Sequence, residues 1–211
     1  MTPAVIFSLR EGALACAAAL RERIGATRCI LTVAASLAVA AGVSGAHAQE
    51  GRAMALTITS TAFAPNAAIP VLYTCKGKDI SPPLAWAGVP AGAKSLALIV
   101  DDPDAPDPAA PTMTWVHWVL YDMPVTATGL GEAAKPAAVP AGTREGTNDF
   151  GRTAYGGPCP PIGLHRYFFK LYALDTVLPD LKRPSKAALE KAMHGHILAQ
   201  ATLVGTHAAA R

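Results

Sequence analysis

The chain has 211 residues, 51% of them hydrophobic and only 16% charged, with a formal net charge of +3. That length allows one domain with a sizeable core. So small an excess of charge, with no basic stripe, argues against nucleic acid or a membrane surface as a partner.

Arg10, Arg21, Arg23 and Arg28 lead into an uncharged apolar run from Cys29 to about Val43, and Ala46 and Ala48 are the small residues of an A-x-A exit. This is the pattern of a secretory signal with a long basic lead. It predicts cleavage after Ala48, a short leader over 49–55, a domain over 56–207, and a periplasmic or secreted location. The run is nearly long enough to cross a bilayer, so a retained anchor is the alternative. Without residues 1–48 the basic count is 18 less 4 and the acidic count 15 less 2, a net charge of +1. No later apolar run is long enough to span a membrane, so the exported domain is expected to be soluble. Cys75 and Cys159 remain after cleavage. An even pair in an oxidising compartment favours a disulfide; two buried thiols are the alternative, because sequence does not show proximity.

Leu56 to Phe63 alternates β-branched and polar residues and predicts a strand. Ala64-Pro65-Asn66 breaks it, and Ile69 to Thr74 is expected to form a second short strand. Turn residues fill Lys76 to Pro83 before a brief strand at Leu84-Ala85-Trp86. Ser95 to Val100 is a continuous apolar run, as in a fully buried strand. It ends in Asp101, Asp102, Asp104 and Asp107, interleaved with prolines. Four carboxylates in seven positions repel one another unless solvated, hydrogen-bonded or protonated.

Met113 to Tyr121 predicts an aromatic strand, with Trp115, His117, Val119 and Tyr121 on one face and Val116, Trp118 and Leu120 on the other. Thr126 to Gly142 lacks periodicity and is expected to be a long surface connection. Gly156 to Tyr167 then packs three glycines and three prolines before His165 and Tyr167. Proline fixes φ and glycine permits crowded conformations, so such a loop has a set shape. Leu164 to Leu174 predicts a strand carrying His165, Tyr167, Phe169 and Leu171 on one face. Ser185 is a plausible N-cap for a helix over Lys186–His194. A further helical turn over His196–Gln200 and a last strand over Ala201–Thr206 complete the chain. The expected class is a mostly-β domain with one or two short C-terminal helices.

Three places combine polar groups with rigid backbone: Asp102 with Asp104, His117, and His165 with Tyr167. Two His and a carboxylate match a metal triad by inventory, but no H-x-H or H-E-x-x-H spacing supports one. There is no G-x-S-x-G elbow and no phosphate-binding glycine motif. No catalysis, metal or cofactor is therefore expected. Together the groups suit an anion: His and Tyr side chains donate, and the Gly156 and Gly157 amides are expected to form a small nest. A carboxylate beside the His pair would raise the pKa of its neighbour. It would also accept from a ligand ammonium or a monoprotonated phosphate, so zwitterionic groups are expected to bind better than simple anions.

Asp102-Pro103-Asp104-Ala105-Pro106, Trp115-Val116-His117-Trp118, and Gly157-Pro158-Cys159-Pro160-Pro161 with His165-Arg166-Tyr167 resemble the phosphatidylethanolamine-binding protein family. Its bacterial branch, the Raf kinase inhibitor-like proteins, is the nearer likeness, and Ser81 to Trp86 and Asn148 to Gly151 share it. The resemblance runs from about Leu56 to Thr206. It implies a β-sandwich-like fold with a large central sheet and a small anion pocket for phosphate-type groups, including phosphoethanolamine head groups. Carried over by position, Asp102, His117, Gly157, Pro158, His165 and Tyr167 would form the wall. Asp104 and Pro106 would shape the turn, and Trp115 would pack beside His117. Cys159 within the proline run fits the secreted bacterial pattern and a bond to Cys75. Eukaryotic members carry an aromatic residue where Thr112 stands and a C-terminal rim tyrosine that is lacking here. A more open pocket is therefore expected, and kinase inhibition is not carried over. The implied role is non-enzymatic binding of a small phosphorylated or carboxylated ligand. Inhibition or modulation of a protease or signalling partner, and hydrolysis, are the alternatives.

Overall fold

The longest apolar runs become the centre of the fold. The computed structural model describes residues 54–134 and 138–209, so the expected signal segment and its cleavage site lie outside the described residues. In chain order the strands are β1 (Thr57–Thr59), β2 (Leu84–Ala87), β3 (Ser95–Asp102), β4 (Trp115–Met123), β5 (Gly129–Leu130), β6 (Arg144–Glu145), β7 (Leu164–Leu174) and β8 (Ile197–Ala208), with helix α1 (Lys186–Met193) before the last. They form an antiparallel sheet ordered β1-β2-β5 and a larger antiparallel sheet ordered β6-β4-β3-β7-β8. Strand β3, paired on both edges, is buried along its whole length: Ser95 to Val100 as the apolar run predicts, and Asp101 and Asp102 as well.

The two sheets share one core. Ile58, Leu84 and Trp86 of the small sheet cluster with Leu96, Leu98, Val100, Leu120, Phe169 and Leu171 of the large one. On the far face, Ala97, Ile99, Val119 and Tyr121 pack against Leu189 and Met193 of α1. The domain is thus a mostly-β sandwich with one α-helix among the described residues. Ser185 caps that helix as expected, its Oγ accepting from the Ala188 amide at 3.3 Å.

Local expectations failed where tertiary pairing overrode them. Ile69 to Thr74 is not a strand: Pro70 opens a 3-10 turn over Val71–Tyr73, with the Tyr73 amide donating to Pro70 at 3.0 Å. The expected helical turn over His196–Gln200 does not form: His196 ends a turn and Ile197–Gln200 opens β8, because Leu174, Ala173 and Tyr172 of β7 offer it ladder partners. The 126–142 connection contains β5, held by Leu84 and Ala85. The face assignment of β4 changes halfway. Val100 pairs with Trp118 but Asp101 pairs with Val116, so His117 is the extra residue of a β-bulge. A bulge re-aims side chains, which is why Trp118 joins the inter-sheet core instead of the far face.

Candidate functional site

The run of aspartates at the end of β3 is stable because each carboxylate has a different partner. Asp101 faces α1, and its Oδ2 accepts from Lys170 Nζ at 2.7 Å and Lys186 Nζ at 2.6 Å. Asp102 faces the other way, accepting from the Asp104 amide at 2.8 Å and from His165 Nδ1 at 2.7 Å. Asp104 is taken by Arg166, whose backbone amide and Nε donate to Oδ2 at 2.9 Å and whose Nη2 donates to Oδ1 at 2.7 Å. Those guanidinium hydrogen bonds hold the Asp104 carboxyl below the ordinary aspartate range despite its burial. Asp107 closes a turn onto the Ala109 amide.

His117 and Gly156 clasp one another across the site. The Gly156 amide donates to the His117 carbonyl at 3.0 Å, and His117 Nδ1 lies 2.6 Å from the Gly156 carbonyl. A carbonyl only accepts, so Nδ1 carries the proton. The residue is 3% exposed, and Nε2 has no hydrogen-bond partner among the described residues. Burial pushes the His117 pKa below its ordinary value, outweighing the Gly156 carbonyl and the carboxylates Asp102, Asp101 and Asp149 that pull it upward. This corrects the expectation of a raised value: desolvation wins, and Nε2 presents a lone pair.

His165 has acceptors at both ring nitrogens, with Asp102 at Nδ1 and the Ile162 carbonyl 3.0 Å from Nε2. It anchors the turn before β7 to the turn after β3. Tyr167, two residues on, lies beneath both rings, edge-on to His117 at 5.2 Å and stacked with His165 at 6.5 Å. Burial, then the nearby Asp102 carboxylate, push its phenol far above the ordinary range.

The glycine–proline loop is held from behind. The Gly157 amide donates to Asp79 Oδ1 at 2.6 Å, so neither glycine amide is left to form the expected nest. A Cβ on Gly157 would collide with the Tyr73 carbonyl and the Thr74 Cα, a close backbone approach that only glycine allows. The Cys75 amide donates to the Pro158 carbonyl at 3.1 Å, and Cys75 and Cys159 are joined by a disulfide with an S–S length of 2.05 Å.

These elements enclose a cavity of about 280 Å³ lined by Asp102, Ala105, Pro106, Met113, Trp115, His117, Phe150, Cys159, Pro160, Pro161 and His165. Of the expected ligand residues, Asp102, His117 and His165 line it, as do Pro106 and Trp115. Asp104, Gly157, Pro158 and Tyr167 stand behind the wall and support it. Phe150 and Met113 are large side chains of the lining that were not expected as site residues, and Phe150 also packs against His117. Its ring packs edge-on to Trp115 at 5.4 Å and to His117 at 5.5 Å. Asn148 places it: Oδ1 accepts from the Phe150 and Arg152 amides, while Nδ2 donates to the His117 and Ala154 carbonyls. An Asn-Asp pair before an aromatic residue was the available signal, since both favour side-chain-capped turns. The result is a cup with aromatic and proline walls and three titratable groups on its floor.

Comparison with known proteins places this architecture. The family profile described as phosphatidylethanolamine-binding protein matches residues 59–208. A UPF0098 protein of Methanothermobacter thermautotrophicus is 50% identical over 153 residues, covering 72% of this chain and 98% of the relative. Among solved structures, a phosphatidylethanolamine-binding protein homologue from Chlamydia trachomatis is 43% identical, with a TM-score of 0.67 over 72% of this chain and 97% of that one. YbcL of Escherichia coli is 32% identical, with a TM-score of 0.67 over 74% of this chain and all (100%) of that one. The chain belongs to the phosphatidylethanolamine-binding protein family.

Proposed function

We propose that the protein is an exported, non-enzymatic binding protein for a small phosphorylated or carboxylated ligand resembling a phosphoethanolamine head group. One observation carries this reading. Asp102, His117 and His165 line a cavity otherwise walled by proline, alanine, methionine and aromatic side chains and by the disulfide at Cys159. Such a cavity accepts a compact polar head whose connecting carbons rest on apolar walls. The Asp102 carboxylate suits an ammonium or a protonated oxygen, which favours zwitterionic over purely anionic ligands. Export is supported by the N-terminal sequence pattern and by the disulfide, which persists in oxidising compartments.

Calorimetric titration of the purified protein with phosphoethanolamine tests the site. Saturable binding is expected, weakened about tenfold or more by His117→Ala, as for loss of one buried hydrogen bond to a charged group. No heat of binding, or equal affinity in the variant, would reject the assignment. A protein-interaction role is the second reading, favoured by exposed apolar residues near the mouth: Met113 and Phe150 on the wall, and Ile162 and Leu164 beside His165. A partner retained by His117→Ala and lost on Phe150→Ser would support it.

A further inference from the structure

We propose that the pocket takes up a phosphate group together with one proton, held between a phosphate oxygen and Nε2 of His117. The inference rests on the phosphate-binding reading above and adds to it which ionic form is selected. His117 Nδ1 is committed as a donor to the Gly156 carbonyl at 2.6 Å, which leaves Nε2 as a buried acceptor with no partner among the described residues. Of the other polar side chains of the site, only the buried Tyr167 hydroxyl is without a hydrogen-bond partner among the described residues, and it stands behind the cavity lining. Asp102 is a carboxylate, and both nitrogens of His165 face acceptors. The nearby backbone amides of Gly156 and Gly157 are already engaged by the His117 carbonyl and Asp79. A fully ionised phosphate would therefore set its oxygens against a lone pair and a carboxylate. A phosphate that brings one proton supplies the missing donor.

The groups that face the imidazole fit this. Asp102 of β3 and Asp149 of the loop before Phe150 lie close enough to favour a positive ring, as does Asp101 from the far face. Tyr167 of β7 packs against the ring edge-on, with His165 beyond it. Desolvation opposes them more strongly and favours the neutral ring. A bound anion adds the negative charge that tips the balance, so ligand and proton enter as a pair.

Two ligand types separate the sources of that proton. A monoester such as phosphoethanolamine loses its own acid proton with a pKa of about 6, whereas glycerophosphoethanolamine, a diester, has none to bring. Titrations of the full protein from pH 5 to 8 are expected to show monoester affinity level below about pH 6. Above it, affinity should fall about tenfold per pH unit, the slope for one linked proton. Diester affinity should be lower at pH 7 and still rising at pH 5, because His117 itself must take up the proton. His117→Gln, whose amide donates without titrating, should flatten both profiles. Titration in buffers of different ionisation enthalpy should show close to one proton absorbed per monoester at pH 7.5. Binding with no proton uptake, or an unchanged slope in His117→Gln, would overturn the inference and leave the phosphate site standing. Absence of binding to either ligand at every pH would remove both.

Discussion

His117 owes its state to burial. A histidine among carboxylates ordinarily gains a proton, and here Asp102, Asp101 and Asp149 all pull that way. Desolvation is the larger effect, so the folded ring binds its proton more weakly than the unfolded chain does. The sign for stability follows from linkage. The contribution is fully present above the unfolded histidine value of about 6.5 and is lost as pH falls through that value toward the folded one. The melting temperature is expected to drop as pH is lowered from 7.5 to 5.5, and His117→Gln should reduce that slope. A melting profile equally steep in the variant would show that another group controls it. At this scale the sequence showed which residues carry chemistry but not their charge state. Asp104 illustrates the difference: its place in the Asp-Pro turn is legible, while its capture by Arg166 depends on β7 lying beside β3.

Between elements, the informative feature is the pair of consecutive aspartates that end β3. A strand alternates its faces, so Asp101 and Asp102 are forced to opposite sides, one to the helix and one to the pocket. Asp101 is wholly buried, and Lys170 and Lys186 reach it with side chains 23% and 19% exposed. It ties β7 and the start of α1 to the strand that carries Asp102. Removing its charge would leave two ammonium groups close together, with only the half-exposed Glu190 carboxylate, 3.8 Å from Lys186, as a counter-ion. Asp101→Asn is therefore expected to destabilise the fold by about 3 kcal/mol, read as a lower urea midpoint with an unchanged slope. A loss below about 0.5 kcal/mol, the level of a surface pair, would mean that the lysines simply turn to solvent. The bulge at His117 is the other decision made between elements. Its sequence alternates regularly, and only the ladder with β3 shows the extra residue.

For the whole molecule, the disulfide has the longest reach. It joins cysteines 84 residues apart, linking the turn after the 3-10 helix to the cavity wall that Cys159 lines. Closing a loop of that length is worth about 4.5 kcal/mol in the chain-entropy treatment. Cys75→Ala with Cys159→Ala is expected to lower stability by about 2–5 kcal/mol. Phosphoethanolamine binding should also weaken, because the wall loses its tether. Equal unfolding midpoints with and without reductant would contradict this. The bond also explains how a loop made only of glycine, proline and cysteine from Gly156 to Pro161 keeps its shape without being part of a sheet.

The sequence alone determined the central strands, because β3 begins as a continuous apolar run and β7 alternates its faces before an apolar end. It determined the helix through its Ser185 cap, and the family through ordered motifs along the whole domain. It also singled out Asp102, His117 and His165, since polar residues beside rigid proline turns at strand ends stand out against an apolar chain. What the tertiary structure decided was everything that depends on which segments meet. Leu174 and Ala173 drew Ile197–Gln200 into a strand. Asp79 and the His117 carbonyl consumed the glycine amides. Asn148 swung Phe150 onto the cavity wall, and burial set His117 neutral. Hydrogen-bond commitments and desolvation are properties of assembled neighbours, and the neighbours here come from segments up to tens of residues apart.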